Sequence, residues 1–316
     1  MQKYLVQRLV QLPVTILFVS IIAFTVIRLL PGDPAMAWLG ESFAGDEELY
    51  QATRAKLGLD QPWPVQFARW MAQIARGDLG VSARIRLPVS QVILQRIPIT
   101  LELIVFSMLL AILVGVPAAI ISAVRPNSMW DKIGTLGAIG GMALPDFWLG
   151  ILLIYLFGVA LKWLPPSGFT PPTEDLASNL KLMIMPAMTI GLVHSAGIMR
   201  QTRAALLDVL GQGYVRTARA KGLAELLVIR RHALRNALLP VVTIIGMQLG
   251  RLIGAAVIVE TIFAIPGLGR WATDSILFRD YSALQGVILV FALWVLIINL
   301  LTDLLYAYLD PRIRLE

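Results

Sequence analysis

The chain has 316 residues, 57% hydrophobic and 15% charged, with 27 Lys and Arg against 20 Asp and Glu. A mean hydropathy of +0.74 excludes two ordinary soluble domains and indicates a multi-span membrane protein. Two His and no Cys leave little material for a soluble metalloenzyme and none for a disulfide, and the formal charge of +7 has meaning only loop by loop.

In chain order, the first apolar run covers residues 9–30, long enough at about 1.5 Å per residue to cross a hydrocarbon core of about 30 Å. A secretory signal would have a shorter core and a small-residue cleavage site, so this helix is retained. Pro31 and Pro34 cannot both continue it, and the chain leaves the membrane there. Residues 31–99 form an outside segment containing Trp38, Trp63 and Trp70, partly helical over "DEELYQATRAKLG". Further runs at 100–124, 133–161, 183–199, 238–259 and 284–307 bring the expected number of transmembrane helices to six. Pro145 and Pro186 predict a break in the third and a kink in the fourth.

With six helices, the N-terminus, the 124–132 loop, the 200–237 loop and the 311–316 tail fall on one side and carry fourteen basic residues. The opposite loops carry Lys162, Lys181, Arg270 and Arg279, and the seven basic residues of 31–99 lie in a long, nearly charge-balanced segment that counts little. Both termini and the 200–237 loop are therefore expected in the cytoplasm. The positive-inside rule alone explains the sign of that loop, but not its 38-residue length, because a connection between helices needs far fewer.

The loop has its own grammar. Residues 200–210 extend the fourth helix to Gly211 and Gly213, Tyr214 to Lys221 can form a short helix closed by Gly222, and a third helix runs from Ala224 towards Pro240. On the short helix Tyr214, Ala218 and Lys221 share one face, with Arg216 and Arg219 on another. A segment too polar for lipid and too ordered for a slack linker needs a protein partner or a lipid surface. Nucleic acid is not expected, since no aromatic residues interleave the cations.

"YVRTARAKGL" (214–223) followed by "HALRNALLP" (232–240) resembles the cytoplasmic EAA loop of type I ABC import permeases, in particular the B-type permeases of the peptide and nickel subfamily. "RLLPGDP" (28–34), "GDLGVS" (77–82), "PVSQVILQRIPITLEL" (88–103), "LPDFWLGILL" (144–153), "WLPPSG" (163–168), "ETIFAIPGLG" (260–269) and "LDPRIR" (309–314) extend the likeness over almost the whole chain. The family-wide pattern opens Glu-Ala-Ala; here Arg216-Thr217-Ala218 precede Gly222, and Pro240 lies further along than in the general pattern.

The resemblance implies an all-α, MetI-like fold in the bacterial inner membrane: a first helix over 1–30, an extracytoplasmic segment over 31–99 and a five-helix core over 100–310. It implies a non-catalytic pore subunit that pairs with a second permease, two cytoplasmic ATPases and an extracytoplasmic binding protein to import di- or oligopeptides or a related small solute. The docking residues would be Tyr214, Arg216, Thr217, Ala218, Arg219, Ala220, Lys221 and Gly222. The chain has no G-x-x-x-x-G-K-[ST], so ATP and Mg belong to the partner ATPases, and no cofactor or metal is expected on this chain.

Candidates for the translocation path are Asp146, His194 and Arg251. Arg251 lies 13 residues into span five, about 20 Å deep, where an uncovered guanidinium costs about 2.5–3.5 kcal/mol. Asp146 falls at similar depth in span three, which makes an ion pair between the two conceivable beside contact with solute. His194, next to Ser195 and Gly197, fits hydrogen-bonded packing better than proton transfer or metal binding. Neither H-E-x-x-H nor G-x-S-x-G occurs. Two rivals are a stand-alone ion-coupled transporter or channel, which would show several intramembrane acids and an internal repeat, and a membrane scaffold whose basic loop holds anionic lipid. A reporter active only in the cytoplasm should work after Glu316 or within 205–212 and fail at 45 or 172; activity at 45 would reverse the orientation.

Overall fold

The computed structural model describes residues 2–29, 32–40 and 46–309. Leu30, Pro31, the 311–316 tail and most of the "LDPRIR" match lie outside the described residues. All regular structure within them is helical: α1 (Gln2–Leu29), α2 (Pro34–Leu39), α3 (Glu47–Lys56), α4 (Trp63–Ala75), α5 (Val89–Val124), α6 (Met129–Ala143), α7 (Asp146–Leu153), α8 (Leu176–Leu210), α9 (Gly213–Ala220), α10 (Glu225–Leu227), α11 (Leu234–Ile262), α12 (Leu268–Leu277) and α13 (Tyr281–Leu309). π-helical turns follow α7 over Ile154–Ala160 and join α10 to α11 over Val228–Ala233.

Four helices are long and apolar enough to span a membrane by themselves: α5, α8, the Val241–Ile262 part of α11, and α13 up to Leu305. A fifth span is broken: α6 and the helix beginning at Asp146 meet at an angle of 102°. The break sits at Leu144–Pro145, in the extended conformation that a residue before proline and proline itself favour. Pro13–Leu29 is a shorter apolar helix. Helix ends outrun the hydropathy-based spans because polar caps and amphipathic turns extend them: α5 begins at Val89 rather than at 100, and α8 covers 176–210 rather than 183–199. Asp175 caps α8 by accepting from the N–H groups of Ala177 (2.9 Å) and Ser178 (3.1 Å).

The chain divides into two compact units, one of Gln2–Leu101 with Pro266–Leu296, the other of Glu102–Ile265 with the chain from Ile297 onward. In the first unit, Ile27, Val89, Val92 and Ile93 pack with Trp271, Leu284 and Val287. Asp33 caps α2 through the Ala35 N–H (2.7 Å) and accepts the Tyr50 hydroxyl, and Asp46 caps α3 through Leu49 N–H (3.0 Å). Phe24, Phe67 and Trp70 cluster with centroids 5.4–6.1 Å apart.

In the second unit α8 is central, packing against α6, α7 and α11. Apolar burial cannot distinguish a helix neighbour from lipid, so close backbone approach decides the packing. A Cβ on Gly191 would stand 2.6 Å from Leu110 Cδ2 and 2.8 Å from the Ser107 carbonyl oxygen; one on Gly115 would stand 2.7 Å from the Ser195 carbonyl oxygen. These two glycines let α5 and α8 touch. Gly191→Val should cost about 1–3 kcal/mol through overpacking, read as a lower apparent melting temperature in detergent, because a backbone oxygen cannot rotate away. Gly137→Ala, where nothing lies within 4 Å, should leave it within about 0.5 kcal/mol.

Candidate functional site

The 200–237 segment is an ordered hairpin. α8 continues to Leu210, Gly211 caps it, and α9 follows immediately. An eight-residue helix is too short to hold itself in water, so α9 depends on what it packs against. Val215 and Ala218 are buried and cluster with Val228, Val209 and Leu210. Expected to lie on one face with Tyr214 and Lys221, Ala218 instead turns inward with Val215, and Tyr214 stays exposed with its hydroxyl accepting from Asn236 Nδ2 at 2.8 Å. The inward residue at one turn's spacing is Val215, because Val228 supplies an apolar partner there.

Beyond α9 the chain reverses at Gly222, with φ +76° and open space where a Cβ would stand. The backbone conformation alone reserves this position for glycine. Arg219 spans the turn with two bonds to Glu225, Nη2 to Oε1 at 2.7 Å and Nε to Oε2 at 3.1 Å. This hydrogen-bonded pairing holds the Glu225 carboxyl below its ordinary range and binds Arg219 within the loop. Arg216, Thr217, Ala220 and Lys221 remain exposed, with Thr217 Oγ1 donating to the Gly213 carbonyl at 3.1 Å. The third helix expected from Ala224 exists as α10, but a π turn interrupts it, burying Val228, Ile229 and Ala233, before α11 carries on through position 240.

Where α8 leaves the helix bundle, Arg203 binds Asp131 at the start of α6 with Nε to Oδ1 at 2.7 Å and Nη2 to Oδ2 at 2.8 Å. Ser122 near the end of α5 receives Arg203 Nε at 2.9 Å and donates to Asp131, whose other oxygen accepts the Asn127 N–H at 2.9 Å. Three helices thus meet on one carboxylate that is 5% exposed. Sequence reading counted Arg203 among the loop cations and missed Asp131. An acid at the third position after a Ser N-cap was the available signal, since Ser128 Oγ accepts the Asp131 N–H at 3.2 Å.

Of the intramembrane candidates, Asp146 begins α7, half-buried, with Oδ1 buried and lacking a hydrogen-bond partner. It lies within electrostatic reach of His194 on α8. His194 Nδ1 is 3.0 Å from Gln248 Oε1 on α11, the hydrogen-bonded packing expected of it; Gln248 was not foreseen. Arg251 forms no ion pair with Asp146 and is exposed on α11, in a row with exposed Met247, Gly254 and Ile258. That row is one helix face, left bare by the other described residues.

Residues 115–315 match the family described as binding-protein-dependent transport system inner membrane component, and residues 1–104 match the N-terminal region of that membrane component. The chain belongs to this family. It is a multi-pass inner membrane protein, and its relatives are permeases rather than enzymes.

The glutathione transport system permease protein of Pectobacterium atrosepticum is 43% identical over 99% of both chains, and that of Escherichia coli strain K12 is 41% identical over the same shares. The dipeptide transport system permease protein of Alkalihalophilus pseudofirmus is 38% identical over 99% of this chain and 100% of its own. In fold, the chain is similar to the inward-facing MetNI methionine ABC transporter, with TM-score 0.56 and 17% identity over 70% of this chain and 97% of the other. An amino acid ABC transporter gives 0.53 at 15% identity over 69% and 94%. The inner membrane component therefore has the ABC importer permease fold, and the stand-alone ion-coupled transporter or channel falls away.

Asp131→Ala should destabilise the protein by about 2–4 kcal/mol, because it strands a partly buried guanidinium. The double variant Asp131→Ala with Arg203→Met should recover much of that loss, since removing both partners leaves no orphan charge. Thermal unfolding of the two purified variants in detergent checks both expectations.

Proposed function

We propose that this inner membrane component is the pore-forming permease subunit of an ATP-driven importer of di- or oligopeptides or a related small solute such as glutathione. It has six spans with both termini in the cytoplasm, and works with a homologous second permease, two ATPases and an extracytoplasmic binding protein. The dipeptide and glutathione permeases among its relatives support this class of solute. The observation that carries the reading is α9, a short helix held on an apolar base between two long helices, presenting Arg216, Thr217, Ala220 and Lys221 outward. It is a preformed knob for a groove on an ATPase, and ATP and Mg bind on that partner.

The solute crosses between the two permeases. An arginine on a bare face of a spanning helix needs protein or water over it, and the Met247, Arg251, Gly254, Ile258 row supports an interface or path there. Asp146 and His194 line the same route from the broken helix and α8.

The docking role is tested in the assembled transporter. Gly222→Val forces a β-branched residue into left-handed backbone at a cost of about 1–2 kcal/mol, enough to reduce binding-protein-stimulated ATP hydrolysis about tenfold. Membrane insertion should be unchanged. Arg216→Glu should lower recovery of the complex, more so at low salt, where repulsion from an acidic groove is least screened. Normal coupling and recovery in both variants would reduce the loop to a topology signal.

A further inference from the structure

Asp280 sits in the turn between α12 and α13, 2% exposed. Its carboxylate accepts the Ser82 hydroxyl and the N–H groups of Ala83 (3.1 Å), Arg84 (3.4 Å) and Ala283 (3.3 Å). One acid, satisfied by four donors, fixes the 82–86 turn beside the end of α12. Both turns hold an arginine at positive φ, Arg86 at +63° and Arg279 at +56°. Left-handed backbone at a non-glycine residue is unfavourable and persists where surrounding contacts impose it.

Between these turns lies a pocket of about 230 Å³ lined by Arg84, Arg96, Trp271, Asp274, Ser275 and Asp280. Arg96 reaches the carbonyls of Pro266 and Gly267 at 3.3 Å each and lies 5.4 Å from the Trp271 ring, forming a wall. The Arg84 guanidinium stacks 3.3 Å from the Phe278 ring centroid, and among the described residues no carboxylate pairs with it. Following Ser275 in the chain, Ile276, Leu277 and Phe278 are at least half exposed. On the two turns Arg84, Arg86 and Arg279 outnumber Asp280, and α12 adds Asp274 to the lining.

We infer that this pocket receives an acidic side chain of the extracytoplasmic binding protein, its carboxylate meeting Arg84 while neighbouring apolar surface covers Leu277 and Phe278. The inference rests on the transporter reading above, which puts these turns on the outer face. Size chooses the occupant: small-molecule sites run from about 300 to 1,000 Å³, so this one holds a side chain rather than a peptide. An arginine stacked on an aromatic ring, rimmed by exposed apolar residues, also has the composition of an interface centre.

The test uses the complete transporter, both permeases and both ATPases, in lipid nanodiscs, titrated with the binding protein of the same system. Arg84→Glu should raise the apparent Kd about tenfold, and more at low salt, with Arg84→Gln intermediate. Asp274→Asn should lower it, because the pocket loses a charge that repels the incoming acid. Opposite signs at two neighbouring residues cannot come from misfolding, and Asp274→Asn carries the test if Arg84→Glu fails to assemble. Unchanged affinity in all three variants would overturn the inference and leave the transporter reading standing. So would a changed KM for peptide transport with unchanged binding-protein affinity, which would assign the pocket to the solute. Failure of wild-type transporter to bind or respond to any solute-loaded binding protein would overturn both.

Discussion

The pair between Arg203 and Asp131 is the fixed point of the helical core. Its two parallel bonds, at 2.7 and 2.8 Å, join α8 to α6, and Ser122 brings in α5. Apolar contact inside a membrane does not choose between a helix and lipid, whereas a two-bonded charge pair at the end of the bundle fixes which helices meet there. The pair also sits about two turns before α8 ends at Leu210, so the direction in which the chain enters α9 is set by an interaction within the core.

Irregular backbone concentrates where the polar candidates are. The 102° break at Leu144–Pro145 starts α7 with Asp146, and His194 and Gln248 meet nearby from α8 and α11. Regular helices satisfy their own peptide groups; a break inside a membrane leaves groups that need protein or water. Gly197 lets α8 approach Gln248, since a Cβ there would stand 2.8 Å from Nε2. Small residue, broken helix and partly buried amide together form a polar seam in an otherwise apolar bundle.

The spans, the break at Pro145 and the short helix ending at Gly222 were legible because each is written in local sequence: an apolar run, a residue without an N–H, a turn that needs positive φ. What was not legible depends on partners distant in sequence. Asp131 looks like an ordinary first-turn acid until Arg203 arrives 72 residues later. Helical spacing serves Tyr214 or Val215 equally well as the inward partner of Ala218, and only Val228 decides between them. The π turn at Val228–Ala233 buries Val228, Ile229 and Ala233, and of these Val228 joins the α9 cluster.

These contacts change what the basic loop can offer a partner. An eight-residue helix would be mostly unfolded alone, and a partner binding it would have to supply its ordering free energy. Here Val215, Ala218 and Val228 provide that order beforehand, and Arg219 spends its charge on Glu225 across the glycine turn. An exposed pair of this kind contributes only about 0–1 kcal/mol, so its effect is on direction more than stability. With Arg219 engaged by Glu225, Arg216 and Lys221 are the cations of α9 and its cap that remain for an acidic groove. Under the docking role proposed above, motion imposed on α9 would pass to α8 and the π turn before α11 through a packed cluster, where a slack linker would absorb it.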